Sequence, residues 1–246
     1  MCINNFITSL PFYFDGMPLQ NGFCWAQADW QILKERVTLF LHPQEKVFLK
    51  SLSHPSPQHS YLLGRYCAKR SIEKYGFNTS SQEILIKAGV WGQPVIISSE
   101  ISNIGLSIAH ACKNGIGLAF PEGFPMGVDI EKIDLNNLQS MREVTSSLEL
   151  GLIKDIYPDT EEIILLTMIW TLKESLSKAL KCGLTVPFHI LETGEFKKQS
   201  KLLACEFPFF PQYLGISYAS KDYVIGLSYP RQLSLKNDLF TQSFPN

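Results

Sequence analysis

Gly127-Val128-Asp129-Ile130-Glu131 alternates with the period of a strand, two aliphatic side chains on one face and two carboxylates on the other. Val128 and Ile130 are expected to point into a core, so residues 127–130 read as a short buried strand. Asp129 and Glu131 then share a face, where two like charges repel unless a cation or water lies between them. Hard oxygen ligands of this kind suit Mg²⁺, which takes a few carboxylates, waters and substrate phosphates. Taken alone, a solvated strand end at a domain junction is the simpler reading of the same five residues.

The second informative stretch is Trp170-Thr171-Leu172-Lys173-Glu174-Ser175-Leu176-Ser177-Lys178. It sits in the clearest helical pattern of the chain, predicted over Ile163 to Leu180 with Gly183 as its stop. Helical spacing puts Trp170, Glu174 and Lys178 on one stripe, with Glu174 a third metal ligand or a general base and Lys178 a partner for phosphate charge. By itself this is also an ordinary amphipathic helix with a Glu–Lys pair worth about 0.2–0.5 kcal/mol.

Around these stretches the pattern mixes helices and strands. A strand is expected before His42-Pro43 and a short helix after it, since Pro suits a first helical turn. His54-Pro55-Ser56-Pro57 reads as a loop and Tyr61 to Tyr75 as a helix ended by Gly76. Strands are expected at Ile84–Val90, Ile104–Ile108, Gly115–Phe120, Thr185–Leu191 and Tyr213–Tyr229, with a turn at Gly92-Gln93-Pro94. A faint repeat is visible: Ile104-Gly105-Leu106-Ser107 returns as Leu214-Gly215-Ile216-Ser217, and Gly117-Leu118-Ala119-Phe120-Pro121 as Gly226-Leu227-Ser228-Tyr229-Pro230. Such composition also recurs in hairpins by chance; a true duplication implies two similar α/β halves.

The 246 residues suffice for one large domain or two small ones, and 45% hydrophobic with 18% charged residues is a globular composition. A net charge of -1 gives no reason to expect nucleic acid as the main partner. No apolar stretch approaches the ~20 residues needed to span a bilayer, and the N-terminal MCINNFITSLPFYFDG lacks the basic region of a signal peptide. A cytoplasmic location without membrane contact is the expectation. Six scattered cysteines without a CxxC pair speak against zinc or thioredoxin-like chemistry and for mostly buried thiols.

The two quoted stretches together resemble the signature of the 4'-phosphopantetheinyl transferase superfamily. Its pattern is Gly-Val/Ile-Asp-Ile/Val-Glu, followed by Trp-x-x-Lys-Glu-Ser/Ala-x-x-Lys, and every defined position is matched here. The resemblance is closest to the larger, two-halved Sfp-type members, and it runs over about residues 40–230. It implies an α+β fold of two similar α/β subdomains related by pseudo-two-fold symmetry, residues 1–125 and 126–246, with the active site in the cleft between them. It also implies transfer of the 4'-phosphopantetheine group of coenzyme A to a serine of an apo acyl or peptidyl carrier protein, dependent on Mg²⁺. Carriers of fatty-acid, polyketide and nonribosomal-peptide synthesis are the substrates so implied. Since one chain holds both halves, a monomer is implied as well.

By that resemblance Asp129, Glu131 and Glu174 hold the metal, and Glu174, Lys178 and Glu149 are catalytic. Arg65, His110, Lys46 and Lys173 meet coenzyme A, and Arg142 to Leu152 receives the carrier's helix, although the helical spacing of Met141, Val144 and Leu148 fits simple core packing equally well. There are departures: Gln93 stands for a Lys, Ala109 for a Ser, and Lys181 for a Gly after the second motif. Losing a charge-assisted contact costs about 1.5–3 kcal/mol. The alternative is therefore a catalytically weak relative that binds coenzyme A or a carrier domain. A second alternative is a Mg²⁺-dependent hydrolase of a coenzyme A-like diphosphate.

Overall fold

The computed structural model describes residues 3–199 and 201–236. Strands β1 (Asn4–Thr8), β2 (Phe12–Phe14), β3 (Met17–Pro18) and β4 (Gly22–Gln27) lead into helices α1 (Trp30–Glu35), α2 (Val37–Phe40), α3 (Pro43–Ser51) and α4 (Pro55–Tyr75). Strands β5 (Leu85–Ala88), β6 (Pro94–Ile97), β7 (Ile104–Ala111), β8 (Asn114–Pro121) and β9 (Gly127–Lys132) follow. Then come α5 (Leu138–Glu143), α6 (Ser147–Ile156) and α7 (Glu162–Ala179), and finally β10 (Phe196–Gln199), β11 (Leu202–Glu206), β12 (Tyr213–Ala219), β13 (Tyr223–Pro230) and β14 (Ser234–Leu235). The class is mixed α and β. Among the described residues no helix is long and apolar enough to cross a membrane.

The chain divides into two compact units, with Pro125 in the first and Met126 in the second. The segment Pro11–Leu19 belongs to the second unit, although it lies within the N-terminal half of the sequence. The reason is local: β2 pairs with β14, and the Phe12 ring packs 5.0 Å from that of Tyr229.

In the first unit an antiparallel sheet runs β1-β4-β8-β7, and α4 lies across it. Leu62, Leu63, Tyr66 and Cys67 of α4 are buried in one cluster with Phe40 and Leu41. Burial of each large apolar side chain contributes about 1.5–3 kcal/mol. The approach of α4 to the sheet requires glycine: a Cβ on Gly22 would collide with the backbone of Ser71 and Tyr75, and one on Gly117 with the backbone of Cys67.

The second unit repeats this plan. Its sheet runs β10-β11-β12-β13-β9, and α7 lies across it through Leu165, Ile169, Leu172 and Leu176. A Cβ on Gly127 would collide with the backbone of Ser175 and Ala179, and one on Gly226 with the backbone of Thr171. In register, Gly117 faces Cys24 across β8 and β4, and Gly226 faces Asp129 across β13 and β9. The repeated stretches of sequence are thus the matching strands, β7 with β12 and β8 with β13.

Two expected strands are not strands. The segment before His42-Pro43 is instead α2 (Val37–Phe40), because Phe40 and Leu41 pack with residues of α4 and that packing overrides the β-propensity of Val37 and Thr38. Residues 183–191 form two 3₁₀ turns, Gly183–Thr185 and Phe188–Leu191, separated by Pro187, which has no N–H for a ladder. The expected loop at His54–Pro57 is instead the start of α4, with Pro55 in its first turn, where a missing N–H costs nothing. Of the cysteines, Cys24, Cys67 and Cys205 are buried, Cys182 is half-buried and Cys112 exposed, while Cys2 lies outside the described residues.

Helix α7 ends on a left-handed residue, Lys181, at φ 57°. Its N–H donates to Lys178 O, and the Cys182 N–H donates to Ser177 O, the double bond pair of a glycine-type helix stop. A side chain in this conformation costs about 1–2 kcal/mol, and glycine's extra unfolded-state entropy offsets part of that. Lys181→Gly is therefore expected to stabilise the protein by about 0.5–1 kcal/mol, read as a higher urea midpoint at unchanged slope.

Candidate active site

The site is built on two elements of the second unit, β9 and α7. Alternation along β9 sends Gly127, Asp129 and Glu131 toward α7, while Val128 and Ile130 are buried on the opposite face. Gly127 brings the two backbones together, and the carboxylates that follow it reach the polar stripe of the helix. Gly127→Ala is expected to cost about 3 kcal/mol through overpacking against the Ser175 carbonyl, seen as a lowered melting temperature or loss of folded protein on expression.

Asp129 is only 4% exposed. Its Oδ1 accepts a hydrogen bond from Lys178 Nζ at 2.6 Å, and its buried Oδ2 has no donor. Glu131 Oε1 accepts from Trp170 Nε1 at 3.3 Å, and the Trp170 ring stacks on Phe188 at 5.3 Å. Burial and the Asp129 charge push Glu131 up to about 7. Glu174 is pushed up to about 7 by the same two causes, with Lys178 opposing. The three acids therefore share one electrostatic neighbourhood. Among the described residues, however, no three His, Cys, Asp or Glu side chains converge closely enough to hold a metal ion as they stand. Lys178 supplies the positive charge that now faces Asp129.

Two expected site residues lie elsewhere. Glu149, expected as an active-site acid, is completely buried and takes part in a capping box at the start of α6. Lys173, expected to meet coenzyme A, is 1% exposed and donates to Glu149 Oε2 at 2.8 Å and Val144 O at 2.7 Å. Lys173 is one residue from Glu174, but helix geometry turns it about 100° away, into the interior. Met141 is buried against Ile163 and Leu166, whereas Leu148 is exposed, so the two do not form one apolar docking face.

Arg65, Lys46 and His110 belong to the first unit. Arg65 lines a cavity of about 300 Å³ together with Gln44, Phe48, Tyr61, Ile86 and Lys87. Its guanidinium lies over the Tyr61 ring at 4.5 Å and donates to Ile86 O at 3.2 Å, with Nε 3.4 Å from Glu45 Oε1. An aromatic wall beside a guanidinium suits a planar or anionic group. Phe48 and Tyr61 were not singled out by sequence, although Tyr61 precedes Arg65 by one turn of α4. Lys46 is half-buried on α3 and does not line the cavity; His110 is exposed on β7. Gln93 folds back on its own turn, Oε1 accepting from Trp91 N–H at 2.9 Å, and Ala109 is buried.

The first unit carries a matching strand and helix without the acids. Cys24 and Ala26 stand where β9 has Asp129 and Glu131, and α4 has Tyr66, Arg70 and Lys74 where α7 has Trp170, Glu174 and Lys178. The carboxylate set is thus a property of one unit.

Residues 125–228 match the family model described as the 4'-phosphopantetheinyl transferase superfamily, the superfamily whose motif pair the sequence resembles. The matched segment holds β9, α7 and the β12–β13 hairpin. Among solved structures, the Helicobacter pylori holo-acyl-carrier-protein synthase in complex with coenzyme A is 18% identical, covering 49% of this chain and 99% of that chain at a TM-score of 0.31. No curated protein matches significantly.

Proposed function

We propose that the protein transfers the 4'-phosphopantetheine group of coenzyme A to a serine hydroxyl of an apo acyl or peptidyl carrier protein, releasing 3',5'-ADP. The observation that carries this reading is that the two motif stretches, far apart in sequence, meet side chain to side chain at Asp129–Lys178 and Glu131–Trp170. The family match over residues 125–228 supports it.

The donor set fits a small hard cation. Two carboxylates, Glu131 and Glu174, neighbour Asp129, both raised by burial and by its charge, and Asp129 Oδ2 is buried without a donor. Asp129, Glu131 and Glu174 would hold Mg²⁺. Bound there, the ion would neutralise charge on the diphosphate and on the departing nucleotide. In the reaction the serine oxygen attacks the β-phosphorus, and the bond from that phosphorus to the bridging oxygen of 3',5'-ADP breaks. The bonding pair leaves with the nucleotide. Glu174, directly or through a water, takes the serine proton. Lys178 contributes its charge to the phosphoryl oxygens. Arg65, His110 and Lys46 remain the residues that the resemblance assigns to the nucleotide end.

One observation favours a second reading, that of a weak binding relative. Gln93 spends its side-chain oxygen within its own turn, where a family lysine would meet the diphosphate. Release of 3',5'-ADP separates the readings. A transferase forms it only when an apo carrier is added, a hydrolase forms it from coenzyme A alone, and a binding protein forms none while still retaining coenzyme A on a sizing column.

A further inference from the structure

We propose that Glu149 is a positioning residue for the transfer, braced to Lys173, and not the group that takes the serine proton. The inference rests on the transferase reading above.

The Glu149 carboxylate is enclosed by four donors. Oε2 accepts from the Ser146 N–H at 2.8 Å and from Lys173 Nζ at 2.8 Å. Oε1 accepts from the Thr193 N–H at 2.8 Å and from the Thr193 hydroxyl at 2.7 Å. Thr193 is itself buried, and so is Lys173, whose ammonium also donates to Val144 O. No face of the carboxylate is left for a substrate. What the contacts do is mechanical: they join the first turn of α6 and the backbone at Val144 and Thr193 to one point on α7. Lys173 immediately precedes Glu174, so that point fixes the rotation of α7 and hence the direction in which Glu174 and Lys178 face.

The first unit provides an internal control. Glu45 closes the capping box of α3, accepting from the His42 N–H at 3.0 Å. It also accepts from Lys69 Nζ at 2.6 Å and from the Ile86 N–H at 3.0 Å. Lys69 donates further to the carbonyls of Ser81 and Ile84. Capping residue, acid and lysine stand at one constant interval from Ser146, Glu149 and Lys173. Yet this unit has Cys24, Ala26 and Arg70 in place of the three acids. A brace kept where the acid chemistry is missing serves the helix, and in this unit it serves the helix that presents Arg65.

The test is a rescue. Glu149→Gln leaves Lys173 buried without a counter-charge and should lower kcat roughly 100-fold, the effect of a small misplacement of reacting groups. The double variant E149Q/K173M removes both charges, a change that buried pairs often tolerate. It should recover to within about tenfold of the parent and keep the parent's pH profile of kcat/KM, whatever its form, because its proton acceptor is untouched. A folded double variant that stays as slow as E149Q or slower overturns the proposal and makes Glu149 a chemical participant. If E149Q does not fold, the double variant alone decides between the same two outcomes. If the parent protein transfers nothing to any carrier, the transferase reading fails separately, and amide exchange in α7 decides the brace. Exchange that rises in E149Q and returns in the double variant upholds it; exchange that does not respond overturns it.

Discussion

Asp129→Ala is expected to lower transfer by roughly a thousandfold or more while leaving the fold intact. Asp129 lies two residues after Gly127, where the β9 backbone meets that of α7, and Gly226, which rests against Thr171 of α7, lies opposite it. It is buried, it pairs with Lys178, and it raises both Glu131 and Glu174. Its charge thus acts on both other acids while it pairs directly with Lys178. The cost in stability should be small, because the Lys178 side chain is 28% exposed and water can solvate its ammonium once the partner is gone. Steady-state kinetics and a thermal melt on the same preparation check both halves of the expectation. Near-normal turnover in the presence of Mg²⁺ would show that Asp129 does not belong to the metal set.

The second large effect is on stability against pH. Glu131 and Glu174 each stand at about 7 in the folded protein, against an ordinary glutamate value of 4.5. Below 4.5 the folded and unfolded chains both keep these protons, and the groups make no difference. Between 4.5 and 7 the unfolded chain gives its protons up while the folded chain retains them, so folding loses free energy as pH rises. The loss is complete above 7. For two groups coupled through Asp129 it is on the order of 3 kcal/mol in total. Urea unfolding in EDTA at pH 5 and pH 8 should show this loss, and the variant E131Q/E174Q should lack it. Mg²⁺ at pH 8 should recover much of the stability, since a bound cation favours the charged carboxylates. A parent protein whose profile matches that of the double variant would mean that the two acids are not held in a buried, like-charged cluster.

The acid stripe and its strand were legible in the sequence because their chemistry is compressed into two short stretches with opposite periodicities. Val128 and Ile130 declare one face, so Asp129 and Glu131 have to occupy the other. That Glu149 and Lys173 are buried and paired with each other was not legible, for the converse reason. A motif position states which residue is present, not which way a helix turns it, and a buried acid pairs in sequence with nothing nearby. A signal was nevertheless present: Ser146-Ser147-Leu148-Glu149 has the form of a capping box, which commits its glutamate to the helix N-terminus. The repeat was faint because most of it lies in small residues, Gly22 and Gly117 against Gly127 and Gly226, whose shared role appears only when a helix backbone is seen resting on them. The cavity beside Arg65 was invisible for a similar reason, since Phe48 and Tyr61 come from two helices and meet only through packing at 5.0 Å. The strands expected before His42-Pro43 and at Thr185–Leu191 are not formed, because helix packing overrides the β-propensity of Val37 and Thr38 and Pro187 cannot donate to a ladder.

The most direct measurement is the intact mass of an apo acyl or peptidyl carrier protein after incubation with this protein, coenzyme A and Mg²⁺. The account predicts a gain of one phosphopantetheine group on the carrier, abolished by EDTA and by Asp129→Ala. Carriers of every class remaining at their apo mass, with the protein folded and coenzyme A still bound, would contradict it.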